Sequence, residues 1–512
     1  MKRVLGAASV RDLDGKAESS GVPSLLLMES AGRGAAEAIR TWAPDLAGGR
    51  ILAVCGTGGN GGDALAAARW LGQWGADPRA ILLGEPRGPA ADQAAAFRAS
   101  FPKNVVPVEG EDDVAALEAW LAEADLVLDG ILGVGLSGPP RGRARTAIEA
   151  VEGSRLPVVA IDLPSGLDAD TGRVDGPTVR AALTLAMGCL KPCHLLPPAA
   201  ERCGEVRVVD VAYPVGAWDE VDPVALVLEA GDVRALLPSR PRFGHKGTFG
   251  RVLVVGGAVG MAGAAALAAH GALRAGAGLV HVLCPEPVYP IVASLVPEAL
   301  VHPGAAEDGQ FAPEAAEEAV RWTEGMDVVV VGPGLGRGPG PAAIVQALVQ
   351  AGIRLVLDAD ALFALAREPE LLAASHGELV LTPHPGEFGR LVGTDPEEIV
   401  PDKIRWAREK AEAWRAVVVL KGPPTAIADP SGHVLLSTTG NTALAHGGSG
   451  DVLAGMVAGL WAGGAGAGDA ASAAAFVHGR AAELLAATSS PRALLPTDLL
   501  AALPEAFAVV EG

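Results

Sequence analysis

The chain has 512 residues, of which 60 are acidic and 40 are basic, so its formal net charge is −20. Half of the residues are hydrophobic, which excludes a disordered chain, and the acidic balance argues against a nucleic-acid-binding protein. At about 100–200 residues per domain the length predicts two or more domains, and 67 glycines with 39 prolines favour an α/β protein with many tight turns.

The sequence also carries signals about location. Residues 1–16 lack the apolar length of a secretory signal, and the five cysteines are odd in number and scattered, so we expect a cytoplasmic protein. The best candidate for a membrane span, residues 452–468, is rich in glycine and shorter than the roughly 20 apolar residues that a bilayer requires. We therefore expect no contact with membranes.

In both halves of the chain, apolar β-branched runs alternate with alanine-rich helical stretches, which is the pattern of doubly wound parallel sheets. The predicted strands of the first half are 51–55, 79–83, 126–129, 158–162, 182–186 and 206–209. Those of the second half are 251–255, 279–284, 328–331, 355–358, 378–382, 417–421 and 425–428. The proline-rich segment 212–247 has no long period, so we place the domain boundary within it and predict domains 1–218 and 219–512.

A glycine-rich turn follows the predicted strand 51–55. Residues 56–63 read Gly-Thr-Gly-Gly-Asn-Gly-Gly-Asp and satisfy the G-x-G-x-x-G pattern of dinucleotide-binding turns. We predict that Asp63 stands in the first turn of the next helix, where its charge would repel a pyrophosphate. A standard dinucleotide site is therefore disfavoured, although Asp63 could also be a simple stabilising acid at a helix start.

Aspartates end two further strands of the first half. Asp129 is followed by a glycine-rich loop at 130–138, and Asp162 by Leu-Pro-Ser-Gly. Each aspartate either caps the following turn or lines a site. Because the carboxyl ends of parallel strands meet at one edge of the sheet, three such strand ends in one domain favour a site.

These motifs carry a specific resemblance. The segments GTGGNGGD, LDGILGVGLSG and IDLPSGLDADTG, preceded by PSLLLMESAGR, resemble the YjeF N-terminal domain over about residues 1–215. That family is the NAD(P)H-hydrate epimerase, which interconverts the R and S forms of hydrated NADH and NADPH, and the resemblance implies a Rossmann-like fold. The residues that it assigns to hydrate binding are Gly59, Asn60, Gly61, Gly62, Asp63, Gly133, Val134, Gly135, Leu136, Ser137, Gly138, Pro139 and Asp162.

The same resemblance implies a potassium ion held by Asn60, Asp129 and Ser165, whose oxygen ligands suit a hard cation. It also implies that Asp162 transfers the proton. Lys191 resembles a lysine of the family as well.

Two positions of the first domain depart from the family pattern. Gly59 stands where the family usually has a second asparagine, and Ala64 where it has glycine. A binding or assembly module with an inactive epimerase site is therefore an alternative for this domain.

The second half contains a turn that can bind an anion. Residues 447–450 read Gly-Gly-Ser-Gly and lead into a predicted helix, so they offer free N–H groups and a helix N-terminus to a phosphate. Asp451 is placed to take a proton from a hydroxyl that attacks this phosphate. The alternative is a tightly packed turn in which Asp451 is only a cap. The chain has no G-x-x-x-x-G-K-[ST] motif, which excludes a P-loop enzyme.

Other motifs of this half suit the same chemistry. The segment 421–425, Lys-Gly-Pro-Pro-Thr, connects two predicted strands and offers a cation and a hydroxyl to a nucleotide. His384 lies between two prolines at a strand end, and the glycines of 332–336 permit close approach of a ligand to the backbone.

Together with HKGTFG, GGAVGMAGAAALAA, LRAGAGLV, LDADAL and GNTALAHGGSGDVLAG, these motifs resemble the ribokinase-like superfamily, and within it the NAD(P)H-hydrate dehydratase branch. The resemblance covers nearly all of residues 225–512. It implies that Ala264, Gly334, His384 and Asp451 contact the hydrate. The residues that it assigns to the adenine nucleotide are Lys421, Gly422, Pro423, Pro424, Thr425 and Gly450. Alanine at 258 and Met-Ala at 261–262 depart from the usual serine and Tyr-Thr.

The two resemblances imply one bifunctional enzyme with a Rossmann-like and a ribokinase-like domain. Its partners would be NADHX, NADPHX and an adenine nucleotide, with ADP as co-substrate, Mg²⁺ in the dehydratase domain and K⁺ in the epimerase domain. Homo-oligomers are common in these families, so the resemblance implies a homo-oligomer. The alternative is a kinase for a hydroxymethylpyrimidine or hydroxyethylthiazole, joined to an inactive N-terminal module.

Overall fold

A computed structural model describes residues 1–46, 48–107 and 114–512. These residues form two compact units, one of Lys2–Val224 and one of Ala225–Gly512 together with Met1. The boundary predicted between residues 218 and 219 lies a few residues before this division. No helix in the described ranges is long and apolar enough to cross a membrane.

The N-terminal unit is an α/β structure. Its strands are β1 (Lys2–Val4), β2 (Arg50–Cys55), β3 (Asp77–Leu82), β4 (Val105–Pro107), β5 (Leu126–Gly130), β6 (Val158–Ile161), β7 (Leu183–Met187) and β8 (Glu205–Val209). Its helices are α1 (Ala7–Ser19), α2 (Ser24–Trp42), α3 (Gly59–Gln73), α4 (Pro89–Ser100), α5 (Val114–Leu121), α6 (Gly142–Ser154) and α7 (Val215–Asp219).

Seven of these strands form a parallel sheet in the order β4-β3-β2-β5-β6-β7-β8. The chain builds outward from β2 in one direction and from β5 in the other. The loops after these two neighbouring strands therefore diverge, which creates the crevice in which open α/β sheets bind ligands.

The C-terminal unit has a larger sheet. Its strands are β9 (Ala225–Val227), β10 (Arg251–Val255), β11 (Leu279–Pro285), β12 (Leu300–Gly304), β13 (Ala306–Glu307), β14 (Gln310–Phe311), β15 (Val328–Val331), β16 (Leu355–Leu357), β17 (Leu379–Leu381), β18 (Val417–Leu420), β19 (Thr425–Ala428) and β20 (Val434–Ser437). Its helices are α8 (Ala230–Leu236), α9 (Ala262–Arg274), α10 (Tyr289–Leu295), α11 (Ala315–Trp322), α12 (Pro339–Gln350), α13 (Asp360–Leu365), α14 (Glu370–Ala374), α15 (Pro385–Val392), α16 (Pro396–Ile399), α17 (Lys403–Trp414), α18 (Ser449–Ala462), α19 (Ala467–Ala486) and α20 (Pro496–Glu511).

The strand order in this unit is β9-β20-β19-β18-β17-β16-β15-β10-β11-β12. Neighbours are parallel except at β18/β19 and β19/β20, which pair antiparallel. Strand order reverses between β10 and β15, so the loops after these two strands open a second crevice.

The doubly wound α/β architecture is confirmed, and each predicted strand overlaps an observed one. Short or partly exposed strands, such as β12 and β20, were not predicted.

Asp63 lies in the second turn of α3, not in its first, because the helix already begins at Gly59. That prediction was wrong. Asp451 lies in the first turn of α18, as expected.

Glycines bring helices α9 and α18 into backbone contact. A side-chain carbon at Gly455 would lie 1.9 Å from the carbonyl oxygen of Ala268, and one at Gly271 would lie 2.3 Å from that of Val452. Helix α18 carries Asp451 in its first turn, and α9 carries Ala264. The glycine contact therefore sets the separation of two residues that the sequence assigns to one site.

We predict that Gly455→Ala lowers the melting temperature of the chain, because the new methyl group must push the two helices apart. Overpacking of this kind costs roughly 1–3 kcal/mol. Gly263→Ala on α9 is the matched control, since no atom lies within 4 Å of its added carbon. Calorimetry of both variants checks this, and equal melting temperatures would contradict the packing argument.

Candidate active sites

The crevice of the N-terminal unit is a cleft of about 620 Å³, a size typical of small-molecule sites. Of the predicted hydrate-binding residues, those that line it are Gly59, Asn60, Gly61, Asp63, Gly133, Val134, Gly135, Leu136, Ser137 and Asp162. Gly62, Gly138 and Pro139 are not among its lining residues. Gly62 instead faces Met28, since a side-chain carbon there would lie 2.5 Å from the Met28 sulfur.

Asp162 is held in one orientation at the end of β6. Its backbone φ of 66° is in the left-handed region, and its Oδ1 accepts hydrogen bonds from Lys191 Nζ and, at 3.0 Å, from Met187 N. Its Oδ2 accepts no hydrogen bond from any described residue. Because Asp162 also lines the cleft, this free oxygen is available to a ligand.

The partner of Asp162 is a fully buried lysine. Burial acts to lower the pKa of Lys191, but the charge and hydrogen bond of Asp162, together with Cys189 and Cys193, outweigh it and the pKa is raised. His194 supports the pair from behind: Nδ1 accepts from Lys191 N at 3.1 Å, so Nε2 donates to the carbonyl oxygen of Asp162 at 2.8 Å. Burial lowers the pKa of His194 to about 4, which keeps this ring neutral.

Two further carboxyl groups line the same cleft. Burial, and then the charges of Asp162 and Asp14, raise the pKa of Asp63 well above its usual value. Burial also raises the pKa of Asp14, whose Oδ1 accepts a hydrogen bond of 2.7 Å from the Tyr213 hydroxyl. These carboxyls keep their protons to a higher pH than surface aspartates do. Sequence reasoning missed Asp14 and Tyr213, because neither stands near a glycine motif or a strand-end aspartate of the kind that marked the site.

The three residues predicted to bind potassium belong to one hydrogen-bond network, in which Asn60 and Ser165 both bond to Leu132 and Ser165 bonds to Asp129. Asp129 is fully buried inside β5 and accepts hydrogen bonds from Ser165 N at 2.8 Å, Ser165 Oγ at 2.5 Å and Ile131 N at 3.2 Å. Asn60 donates through Nδ2 to Leu132 O at 2.7 Å. Its Oδ1 is buried and has no hydrogen-bond partner among the described residues.

This donor set fits a hard cation. Burial raises the pKa of Asp129 to about 6, against the opposing effect of its bonds to Ser165. Above that pH it is a buried carboxylate whose hydrogen-bond donors are all neutral, and the amide oxygen of Asn60 beside it lacks a donor. Oxygen ligands of this type bind hard cations, whereas the described residues contain no cluster of three His, Cys, Asp or Glu side chains suited to a metal ion.

Lys421 stands at the centre of the second site. Its Nζ donates to Asp358 Oδ1 at 3.0 Å and lies 3.9 Å from Glu387 Oε2. A side-chain carbon at Gly450 would lie 3.1 Å from the same Nζ. The lysine thus joins the end of β16 and the first turn of α15 to the start of α18. Asp358 is itself fixed by Thr382, whose hydroxyl donates to Oδ1 at 2.8 Å.

Asp451 faces this charge cluster. Burial raises its pKa to about 7, and the charge of Asp358 adds to this effect while Lys421 opposes it. A carboxyl group with a pKa near neutrality can both accept and release a proton at working pH. Since it also stands in the first turn of α18, it borders the N–H groups that a phosphate would contact.

Three further residues predicted to contact the hydrate are His384, Gly334 and Ala264. His384 caps α15, and its Nδ1 accepts from Gly386 N at 3.0 Å, so Nε2 carries the proton; Nε2 lies 3.5 Å from Glu387 Oε1. Gly334 has φ 56°, and a side-chain carbon there would lie 3.0 Å from Ala264 Cβ. These two residues therefore form one wall of the second crevice.

The family described as YjeF-related protein N-terminus matches residues 24–193, and the family described as NAD(P)H-hydrate dehydratase matches residues 252–505. A bifunctional NAD(P)H-hydrate repair enzyme of Moorella thermoacetica is 39% identical over 505 residues, covering 97% of this chain and 95% of the relative. One of Salinibacter ruber is also 39% identical, covering 96% and 93%. The chain belongs to the family of bifunctional NAD(P)H-hydrate repair enzymes.

A solved structure shares the fold of the C-terminal unit. The ADP/ATP-dependent NAD(P)H-hydrate dehydratase of Bacillus subtilis, co-crystallised with ATP and Mg²⁺, is 34% identical with a TM-score of 0.50. The match covers 56% of this chain and 99% of that one.

We predict that Asp451→Asn raises the melting temperature at pH 8 by a few degrees. The native pKa of Asp451, about 7, lies above its ordinary value of 3.8, so the native state loses stability as pH rises between these values. The amide carries no such charge. The gain in melting temperature over the wild-type chain is fully present above pH 7 and shrinks as the pH falls towards 4. Melting curves across this range check it.

Asp469→Asn, in the exposed first turn of α19, is the control. It loses a favourable charge at a helix start and gains nothing at pH 8. A lower melting temperature for Asp451→Asn at pH 8 would contradict the burial argument.

Proposed function

We propose that this chain repairs hydrated nicotinamide cofactors. The N-terminal unit interconverts the R and S forms of NADHX and NADPHX, and the C-terminal unit dehydrates the S form with ADP to give NAD(P)H, AMP and phosphate. One observation carries the proposal: two family matches follow each other along one chain, and each matched region contains a lysine–aspartate pair at the carboxyl edge of its parallel sheet.

Epimerisation inverts the carbon that bears the added hydroxyl group, which requires a proton acceptor and a proton donor near it. Asp162 is the acceptor, because Lys191 and Met187 hold Oδ1 while Oδ2 stays free for the substrate. The neighbouring Asp63 and Asp14, whose pKa values are raised, face the same cleft. The open space around Gly59, where an added side-chain carbon would meet no atom, leaves room for a substrate.

Dehydration needs a better leaving group than hydroxide. Asp451 takes the proton of the C6 hydroxyl, and the oxygen attacks the terminal phosphorus of ADP, whose bond to the bridging oxygen breaks and releases AMP. The phosphate then leaves with the C–O bonding electrons as a proton is lost, so that NAD(P)H forms. Lys421 and the N-terminus of α18 stabilise the negative charge that develops.

Two cations complete the proposal. Asn60, Asp129 and Ser165 would hold potassium, which would neutralise the buried Asp129 carboxylate. Magnesium would be bound largely through the phosphates of the nucleotide and would neutralise part of their charge. The homo-oligomeric state and the cytoplasmic location stay predictions.

We predict that purified S-NADHX with ADP and Mg²⁺ is fully converted to NADH by the wild-type chain and by Asp162→Ala, as followed at 340 nm. With R-NADHX, the Asp162→Ala variant forms NADH slowly, because it lacks the base that epimerises the R form to the S form. Asp451→Ala forms NADH from both hydrates about 100- to 10,000-fold more slowly than the wild-type chain. It still interconverts the R and S forms, as measured by chromatography. The uncatalysed epimerisation rate is subtracted.

Equal losses on R and S hydrates in Asp162→Ala would refute the division of labour between the units. Absence of any NADH, together with phosphate transfer to a pyrimidine or thiazole alcohol, would favour the kinase alternative.

We also predict that replacing K⁺ with choline slows the use of R-NADHX and leaves S-NADHX dehydration unchanged. Adding K⁺ raises the melting temperature of the wild-type chain, since a ligand of the native state stabilises it. In Asn60→Leu, which lacks the unpaired Oδ1, that thermal shift is lost. If K⁺ raised the melting temperature of Asn60→Leu as much as that of the wild-type chain, Asn60 would not be a ligand of the cation.

A further inference from the structure

A second lysine lies beneath the connection Lys421–Thr425. Lys403, the first residue of α17, is 1% exposed. Its Nζ donates to the carbonyl oxygens of Pro424 at 2.8 Å and of Lys421 at 3.2 Å. No carboxylate among the described residues lies within ion-pair distance of it. Its charge is therefore met only by backbone dipoles at the two ends of the Gly-Pro-Pro segment.

An ammonium group in this position is costly. Burial alone lowers the pKa of Lys403 to about 7, because no acidic partner compensates for the loss of water. Packing does not need the charge, since a methionine of similar length would fill the same space. What methionine cannot do is hold two carbonyl groups of one connection at fixed positions.

Holding the carbonyl of Lys421 determines where the next N–H points. In a planar trans peptide the C=O and N–H groups face opposite ways, so the Gly422 N–H is directed away from Lys403. It donates to no described residue. Prolines 423 and 424 have no N–H, which makes Gly422 the only backbone donor among residues 422–424. Its φ of 110° lies in the left-handed region that favours glycine.

Charge adds to this geometry. Lys421 is shared between Asp358 and Glu387, so much of its field is compensated within the site. A side-chain carbon at Gly422 would lie 3.1 Å from Lys403 Nζ, which places the uncompensated ammonium directly below the connection. An anion above the connection would therefore experience a net positive field from beneath it.

We propose that Lys403 is a positioning residue for the nucleotide. It holds the Lys421–Thr425 connection in the conformation that presents the Gly422 N–H to the nucleotide, and in its protonated form it places under the connection a positive charge that no carboxylate compensates. This inference rests on the proposed function, in which that connection binds ADP.

Calorimetric titration of the full chain with Mg·ADP tests the proposal, together with steady-state kinetics on S-NADHX. We expect Lys403→Met to raise the Kd and KM for ADP by roughly tenfold to a hundredfold, the scale of a lost hydrogen bond to a charged group. The KM for S-NADHX should change less than twofold. Lys403→Arg, which keeps the charge and the donors, should recover part of the ADP affinity. Melting temperatures are measured for each variant.

Arg405→Met is the matched control. It removes a positive charge two residues away on the same helix, but that side chain is exposed and paired with Asp402 and Glu409. It should leave the affinity for ADP unchanged. If Lys403→Met does not fold, Lys403→Gln takes its place, since its amide can still donate to one of the two carbonyls.

Lys421→Met separates this inference from the proposed function. If Lys421→Met leaves ADP binding intact, the nucleotide site itself is misplaced. If Lys421→Met weakens binding while Lys403→Met does not, the role of Lys403 is overturned. A parallel rise of both KM values in Lys403→Met, without recovery in Lys403→Arg, would reduce the residue to a structural part of the core and equally overturn it.

Discussion

In each unit a lysine is withdrawn from water and paired with an aspartate at the carboxyl edge of a parallel sheet. Lys191 pairs with Asp162, and Lys421 with Asp358. Removing one member of such a pair leaves the other charge buried and alone, which is far more costly than losing a surface ion pair. The surrounding loops are therefore held to these pairs, and the cleft geometry of both units depends on them.

Local charge also resolves an apparent conflict between the protein and its proposed ligands. A chain with a net charge of −20 repels dinucleotides and nucleotides at long range. Attraction has to come from groups within a few ångströms: helix N-termini, backbone N–H groups turned outward by glycines, and the ammonium groups of Lys421 and Lys403. At such distances, in partly buried surroundings, a few oriented groups outweigh the screened field of distant carboxylates.

The parts of the fold that could be predicted from sequence are those with a local cause. Long apolar runs mark β2, β10 and β15, because strands buried on both faces need continuous hydrophobic sequence. Asp129 and Asp162 were found because each interrupts such a run at the edge where ligands bind. The start of α3 was misjudged, since Gly59 and Asn60 have low helix propensity and give no local sign that the helix already begins there.

Site residues that no local sequence pattern marks could not be predicted from the sequence. Asp14 lies on a helix of ordinary pattern, and Tyr213 follows the last strand of its sheet. Lys403 is one charge in a helix full of charges, DKIRWAREK. Each becomes part of a site only through contacts between residues far apart in the chain. The antiparallel pairing of β18 and β19 departs from the predicted parallel pattern, because the connection 421–424 is too short for the crossover that a parallel pair needs.

The backbone contact between α9 and α18 has a mechanical meaning. With no side-chain layer between Gly271, Gly455 and their neighbours, there are no rotamers to rearrange and no path along which one helix can slide on the other. Ala264 and Asp451 therefore lie on two helices whose separation is fixed by direct backbone contact, so the distance between these two residues changes little.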